Sequence, residues 1–134
     1  MGSERAEEPT DRISEAEYAV MEALWARHPL TANEVADAVA PARGWGLATV
    51  KTLLSRLAAK QVISTEPQGK RFLYSPLVAR EAYLGGESRR LVDRLFGGSA
   101  AGLFAHLAEA EALSAADLDQ IEALLKQIRE GEGQ

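Results

Sequence analysis

Residues 47–60 read LATVKTLLSRLAAK. At about 100° per residue, Val50, Leu53, Leu54 and Leu57 fall along one side of a helix. The other side holds Ala48, Lys51, Thr52, Ser55, Arg56 and Ala59, with Thr49 at its edge. That outer face carries no acidic residue. Its side chains are mostly small, so it can approach a groove closely. Arg and Lys donate to guanine edges or to phosphate, and Ser and Thr serve either base or backbone. Taken alone, the pattern favours an ordinary solvated amphipathic helix by roughly two to one. Its place in the chain decides between the two.

Upstream, Ser14-Glu15-Ala16-Glu17 has the spacing of a capping box, and Thr31-Ala32-Asn33-Glu34 repeats it. The first signature predicts a helix over about 14–27, stopped near His28-Pro29, with Ala16, Val20, Met21, Leu24 and Trp25 inward. The second predicts a short helix with Val35 and Val39 inward, ended by Pro41. Arg43-Gly44-Trp45-Gly46 reads as a turn, with both tryptophans covering apolar neighbours. Downstream, Val62-Ile63-Ser64-Thr65-Glu66 and Lys70-Arg71-Phe72-Leu73-Tyr74 are extended runs around Pro67-Gln68-Gly69, the pattern of a β-hairpin. Three helices followed by a two-stranded ribbon form a winged helix-turn-helix. The expected fold class is mainly α with a small β-hairpin. Residues 1–12 read as a flexible tail, 13–77 as a winged-helix DNA-binding domain, 78–130 as a helical dimerisation domain and 131–134 as a second tail.

The chain has 134 residues and a net charge of −5, unevenly spread. Residues 1–41 hold three basic against nine acidic side chains, and residues 81–134 hold five against ten. Between them, residues 42–80 hold seven basic side chains against Glu66 alone. Phosphate binding needs local positive charge, not a basic protein overall. Lys70 and Arg71, at the hairpin tip, extend the basic surface of the third helix. With no cysteine, the chain has neither a disulfide framework nor a thiolate nucleophile nor a soft Cu(I) set. His28 and His106 stand apart without ligand neighbours, so no metal is expected. No Walker loop, GxSxG or HExxH occurs, and the acidic pair Glu109/Glu111 reads as part of a solvated helix. Neither a catalytic residue nor a cofactor is expected. No signal region or membrane span is visible, so a cytoplasmic protein without a membrane partner is the expectation.

The last third supplies a partner surface. A helix is expected over about 78–96, bent or loosened at Gly85-Gly86, with Leu91, Leu95 and Phe96 apolar. Leu103, Phe104 and Leu107 mark the next helix. Ser114 starts a third, striped by Leu118, Ile121, Leu124, Leu125 and Ile128. Such short helices cannot bury their apolar faces alone. They are expected to pack on the first domain or on a second copy.

The runs at 13–25, 31–35 and 48–57, then Lys60, Val62-Ile63 and the Leu95-Phe96-Gly97-Gly98 step, resemble the penicillinase and methicillin-resistance repressors (the BlaI/MecI group). The resemblance implies a homodimeric repressor on a palindromic double-stranded DNA operator with TACA/TGTA halves. By position it implies DNA contacts from Thr31, Asn33, Ala48, Thr49, Lys51, Thr52, Ser55 and Arg56, with wing contacts from Lys70 and Arg71. It implies dimerisation through Leu91, Leu95, Phe96, Leu103, Phe104, Leu107, Leu118, Ile121, Leu125 and Ile128. It also implies a sensor-linked protease as partner, cutting near residues 104–107, although His106-Leu107 stands where relatives carry Asn-Phe. Two further departures are Gly46 in place of a serine cap and Ala48 in place of a lysine. A winged-helix scaffold that docks a protein without touching DNA is the alternative; it calls for an acidic or apolar outer face on the third helix.

Overall fold

The structure is a computed structural model and describes residues 12–132. Six helices and one two-stranded antiparallel sheet occur among the described residues. The tails expected at 1–12 and 131–134 lie, apart from Arg12, Gly131 and Glu132, outside them. The chain forms two compact units, one reaching to Tyr83 and one from Leu84 onward.

In the first unit, α1 (Glu15–Ala26) and α2 (Ala32–Arg43) each start on a complete capping box. The Ser14 hydroxyl accepts the Glu17 N–H at 3.1 Å while the Glu17 carboxylate accepts the Ser14 N–H at 2.8 Å. Thr31 and Glu34 repeat the exchange at 3.2 and 2.8 Å. Helix α3 (Leu47–Ala59) begins at Gly46, which provides no side-chain cap. Val20, Met21 and Leu24 of α1, Val35 and Val39 of α2, and the full α3 stripe of Val50, Leu53, Leu54 and Leu57 form one buried core with Leu30 and Ile63. Burying each such side chain contributes about 1.5–3 kcal/mol. The core therefore fixes the rotation of α3 and leaves its basic face outward.

Two local expectations are corrected. Pro41 does not end the second helix; it lies inside α2, which runs to Arg43. The proline removes a single N–H near the end of the helix. Gly44, at φ +68°, then closes it by donating to the Ala40 carbonyl at 2.8 Å. Pro67 and Gln68 belong to strand β1 (Ile63–Gln68), so only Gly69 and Lys70 turn the chain into β2 (Arg71–Pro76). Proline is tolerated there because β1 pairs on one side only. The other side of β2 is taken by Leu30, which exchanges backbone hydrogen bonds with Tyr74 at 3.1 and 2.8 Å.

Helix α4 (Arg80–Phe96) starts in the first unit. The Trp25 indole N–H donates to the Val78 carbonyl at 2.8 Å, and Tyr18, Trp25 and Tyr83 group with ring centroids 5.7–5.8 Å apart. The second unit holds the rest of α4, α5 (Ala100–Glu109) and α6 (Ala115–Glu132). Helix α4 continues unbroken through Gly85-Gly86. Gly97 and Gly98, both at positive φ, turn the chain, and the Ser99 hydroxyl caps α5. Ser114 and Asp117 exchange hydrogen bonds at 3.0 Å at the start of α6. Among the described residues of this unit only Val92 is buried.

Candidate nucleic-acid interface

The outer face of α3 is built by the core on its other side. Ala48, Thr49, Lys51, Thr52, Ser55 and Arg56 are all exposed. Among the described residues neither Lys51 nor Arg56 has a carboxylate partner. The Thr52 hydroxyl donates back to the Ala48 carbonyl at 3.1 Å. Its proton is thereby committed, so toward a base Thr52 presents lone pairs, which suit an exocyclic amino group of adenine or cytosine.

The start of α2 and the hairpin close on this face. Thr31, Ala32 and Asn33 line a concavity of about 170 Å³ together with Lys51 of α3. Its other wall is Lys70, Arg71, Phe72 and Tyr74. Three cationic side chains and the positive end of a helix thus surround one small space, an arrangement that suits an oxyanion. Thr31 itself is buried, and its hydroxyl is used as the α2 cap. It fixes the helix end, while Asn33 is exposed beside it. The Thr31 N–H holds the Glu34 carboxyl below its usual range; slight burial opposes this, and the charges of Arg27 and Arg71 reinforce it. Lys60, at the end of α3, points elsewhere. Its ammonium donates to Glu17 at 2.6 Å and to the Arg12 carbonyl at 2.8 Å.

Sequence reasoning named five residues of the concavity and missed Ala32, Phe72 and Tyr74. The period-2 alternation of β2, which puts residues 72 and 74 on one face, was the signal available for the aromatic pair. Ser55 and Arg56 lie on the same exposed helix face but do not line the concavity.

Two roomier grooves differ in character. One, of about 540 Å³ between α1 and α2, is walled by five alanines, Leu30 and Val39 together with Tyr18, Glu22, Arg27 and Arg43. The other, of about 790 Å³ along α6, mixes Asp119 and Glu122 with Lys126 and Arg129. Neither concentrates one sign of charge. His28 lies 2.8 Å from the Leu24 carbonyl through Nδ1, and the His106 ring sits 6.0 Å from that of Phe96. No helix of the described residues is long and apolar enough to cross a membrane.

In the second unit, Leu95, Phe104, Leu118, Leu125 and Ile128 are exposed, as is Leu124. Leu91, Phe96, Leu103, Leu107 and Ile121 are half-buried. The apolar positions named from sequence thus remain largely uncovered within one chain.

The profile of the penicillinase repressor family matches residues 13–127. The chain is similar to the penicillinase repressor of Bacillus licheniformis, with 25% identity over 116 residues, covering 87% of this chain and 91% of that one. It is 28% identical over 116 residues to the methicillin resistance regulatory protein MecI of Mammaliicoccus sciuri, covering 87% and 94%. Among solved structures, the DNA-binding domain of the repressor BlaI is similar at 30% identity and a TM-score of 0.50, over 55% of this chain and 89% of that one.

Proposed function

Since this chain belongs to the penicillinase repressor family, we propose that it is a DNA-binding transcriptional repressor acting in the cytoplasm as a homodimer on a palindromic operator. One observation carries the DNA reading: an exposed helix face without acidic residues is continuous, through Lys51, with a concavity ringed by Lys70 and Arg71. Helix α3 enters the major groove. Lys51, Thr52, Ser55 and Arg56 meet base edges or phosphates, with Ala48 and Thr49 allowing close approach. Asn33 and the wing brace the adjoining backbone. The exposed outer face of α3 is neither acidic nor apolar, which weighs against a protein-docking scaffold.

The uncovered leucines, isoleucine and phenylalanine of the second unit support the homodimer. Two copies bring two reading helices to symmetric half-sites, and this roughly doubles the binding energy of one. Cleavage within residues 104–107 by a sensor-linked protease would then release the operator. His106 is exposed there. Incubation with such a protease, followed by fragment masses, tests that step.

The main test is a binding titration on a duplex carrying inverted TACA and TGTA half-sites. Lys51→Ala or Arg56→Ala costs about 1–3 kcal/mol where the side chain reads a base. Lys70→Ala weakens every duplex alike and lowers the salt slope by about one. The assignment is rejected if none of the three substitutions has an effect.

A further inference from the structure

Phe72 is 49% exposed, a large aromatic lining a concavity with three cationic side chains. It follows Arg71 on β2 and faces Pro67 across the hairpin. With Tyr74 it walls the concavity that Lys51, Lys70 and Arg71 also line. The wall is held in place: Tyr74 is bonded through its backbone to Leu30, the residue just before the α2 cap. A phosphate alone needs no apolar wall, and a polar side chain would serve it better. The ligand therefore has an anionic part and an adjoining apolar part.

We infer that this concavity is a socket for one phosphate–deoxyribose unit of the DNA backbone, in which Phe72 packs against the sugar while Lys51, Lys70 and Arg71 hold the phosphate. The inference rests on the DNA-binding reading and deepens it by adding a positioning residue. The sugar is the apolar portion of the backbone nearest a phosphate, and it is present at every nucleotide. The contact is thus independent of sequence and releases no counterion. It fixes how deeply α3 sits in the groove. A phenylalanine wedged between bases would behave differently, because unstacking depends on the base step.

The test uses the full chain, with fluorescence anisotropy on two labelled duplexes, one bearing inverted TACA and TGTA half-sites and one with the same bases scrambled. Each is titrated over a salt series with the native protein, Phe72→Ala, Phe72→Leu and Lys51→Ala. Phe72→Ala weakens binding to both duplexes about tenfold, as withdrawing roughly half a phenylalanine surface from water implies. The slope of log K against log salt stays at its native value, whereas Lys51→Ala flattens it. Phe72→Leu restores most of the affinity, and thermal unfolding of the free variants shows that the fold is kept. An unchanged affinity for Phe72→Ala, beside a weakened Lys51→Ala, overturns the socket and leaves the DNA reading standing. A loss confined to the half-site duplex overturns it in favour of a base wedge. A native protein that binds neither duplex overturns both.

Discussion

Glu17→Gln removes one charge and almost no volume from a carboxylate that two helices share. Glu17 is buried, 2% exposed, and closes the α1 capping box through the Ser14 N–H. The same oxygen takes the Lys60 ammonium at 2.6 Å from the end of α3. Glutamine keeps an acceptor for Ser14 but turns a neutral amide toward the ammonium. Breaking a fully buried pair costs about 3–5 kcal/mol. Lys60 is 22% exposed and can swing into water, so the smaller figure of about 1.5–3 kcal/mol for a hydrogen bond to a charged group applies. Burial pushes the Glu17 carboxyl up, but the Lys60 ammonium and the Ser14 N–H outweigh it and leave it below its ordinary value of 4.5. The folded state then holds fewer protons than the unfolded state on the acid side of that value. The stabilisation is complete above 4.5 and drains away as pH falls through the folded-state value. The gap between native protein and Glu17→Gln is therefore widest at neutral pH and closes on acidification. Urea unfolding followed by tryptophan fluorescence measures it cleanly, because both tryptophans, Trp25 and Trp45, lie in the first unit. Equal stability at neutral pH, or a gap that persists unchanged into acid, would refute the reasoning.

Two glycine substitutions should have opposite signs. Gly44 stands at φ +68° with nothing within 4 Å of an added Cβ, so Gly44→Ala costs about 1 kcal/mol through its backbone alone. Gly85 is helical with equally open space, so Gly85→Ala stabilises by about 0.5–1 kcal/mol, read by circular dichroism of the full chain. Leu125→Glu combined with Ile128→Glu should convert dimer to monomer in sedimentation velocity while leaving the tryptophan-reported midpoint in place. A dimer that survives both charges would place the interface elsewhere.

The parts of this fold that were legible in the sequence are those written in local chemistry. Ser14 with Glu17 and Thr31 with Glu34 announce two helix starts, and the structure shows all four hydrogen bonds. The spacing of Val50, Leu53, Leu54 and Leu57 fixes which side of α3 faces out, and all four are buried. Pro41 misled because a proline in the last turn of a helix costs one hydrogen bond, and a left-handed glycine after it completes the helix. Pro67 misled because proline in a singly paired strand resembles proline in a turn. Long-range pairings left no pattern at all. Nothing local tells that Glu17 meets Lys60, that a lone Leu30 extends the hairpin, or that Trp25 reaches Val78. The concavity is of this kind. Asn33, Lys51 and Lys70 are far apart in the chain; helix periodicity and the hairpin tip joined Lys51 to Lys70, and only the family resemblance added Asn33. Phe72 escaped notice because a strand aromatic next to a basic tip reads as an ordinary core residue.

Val92 is the lone side chain withdrawn from solvent among the described residues of the second unit. Three helices with so little covered gain little stability from their own packing. Where a second copy covers them, their order becomes a matter of mass action, set by how many copies each cell carries. Where operator occupancy needs two such chains, it follows the square of their abundance while dimers are scarce. Growth that halves the pool without replacement would then cut occupancy about fourfold in that regime, so that occupancy would fall more steeply than the pool itself.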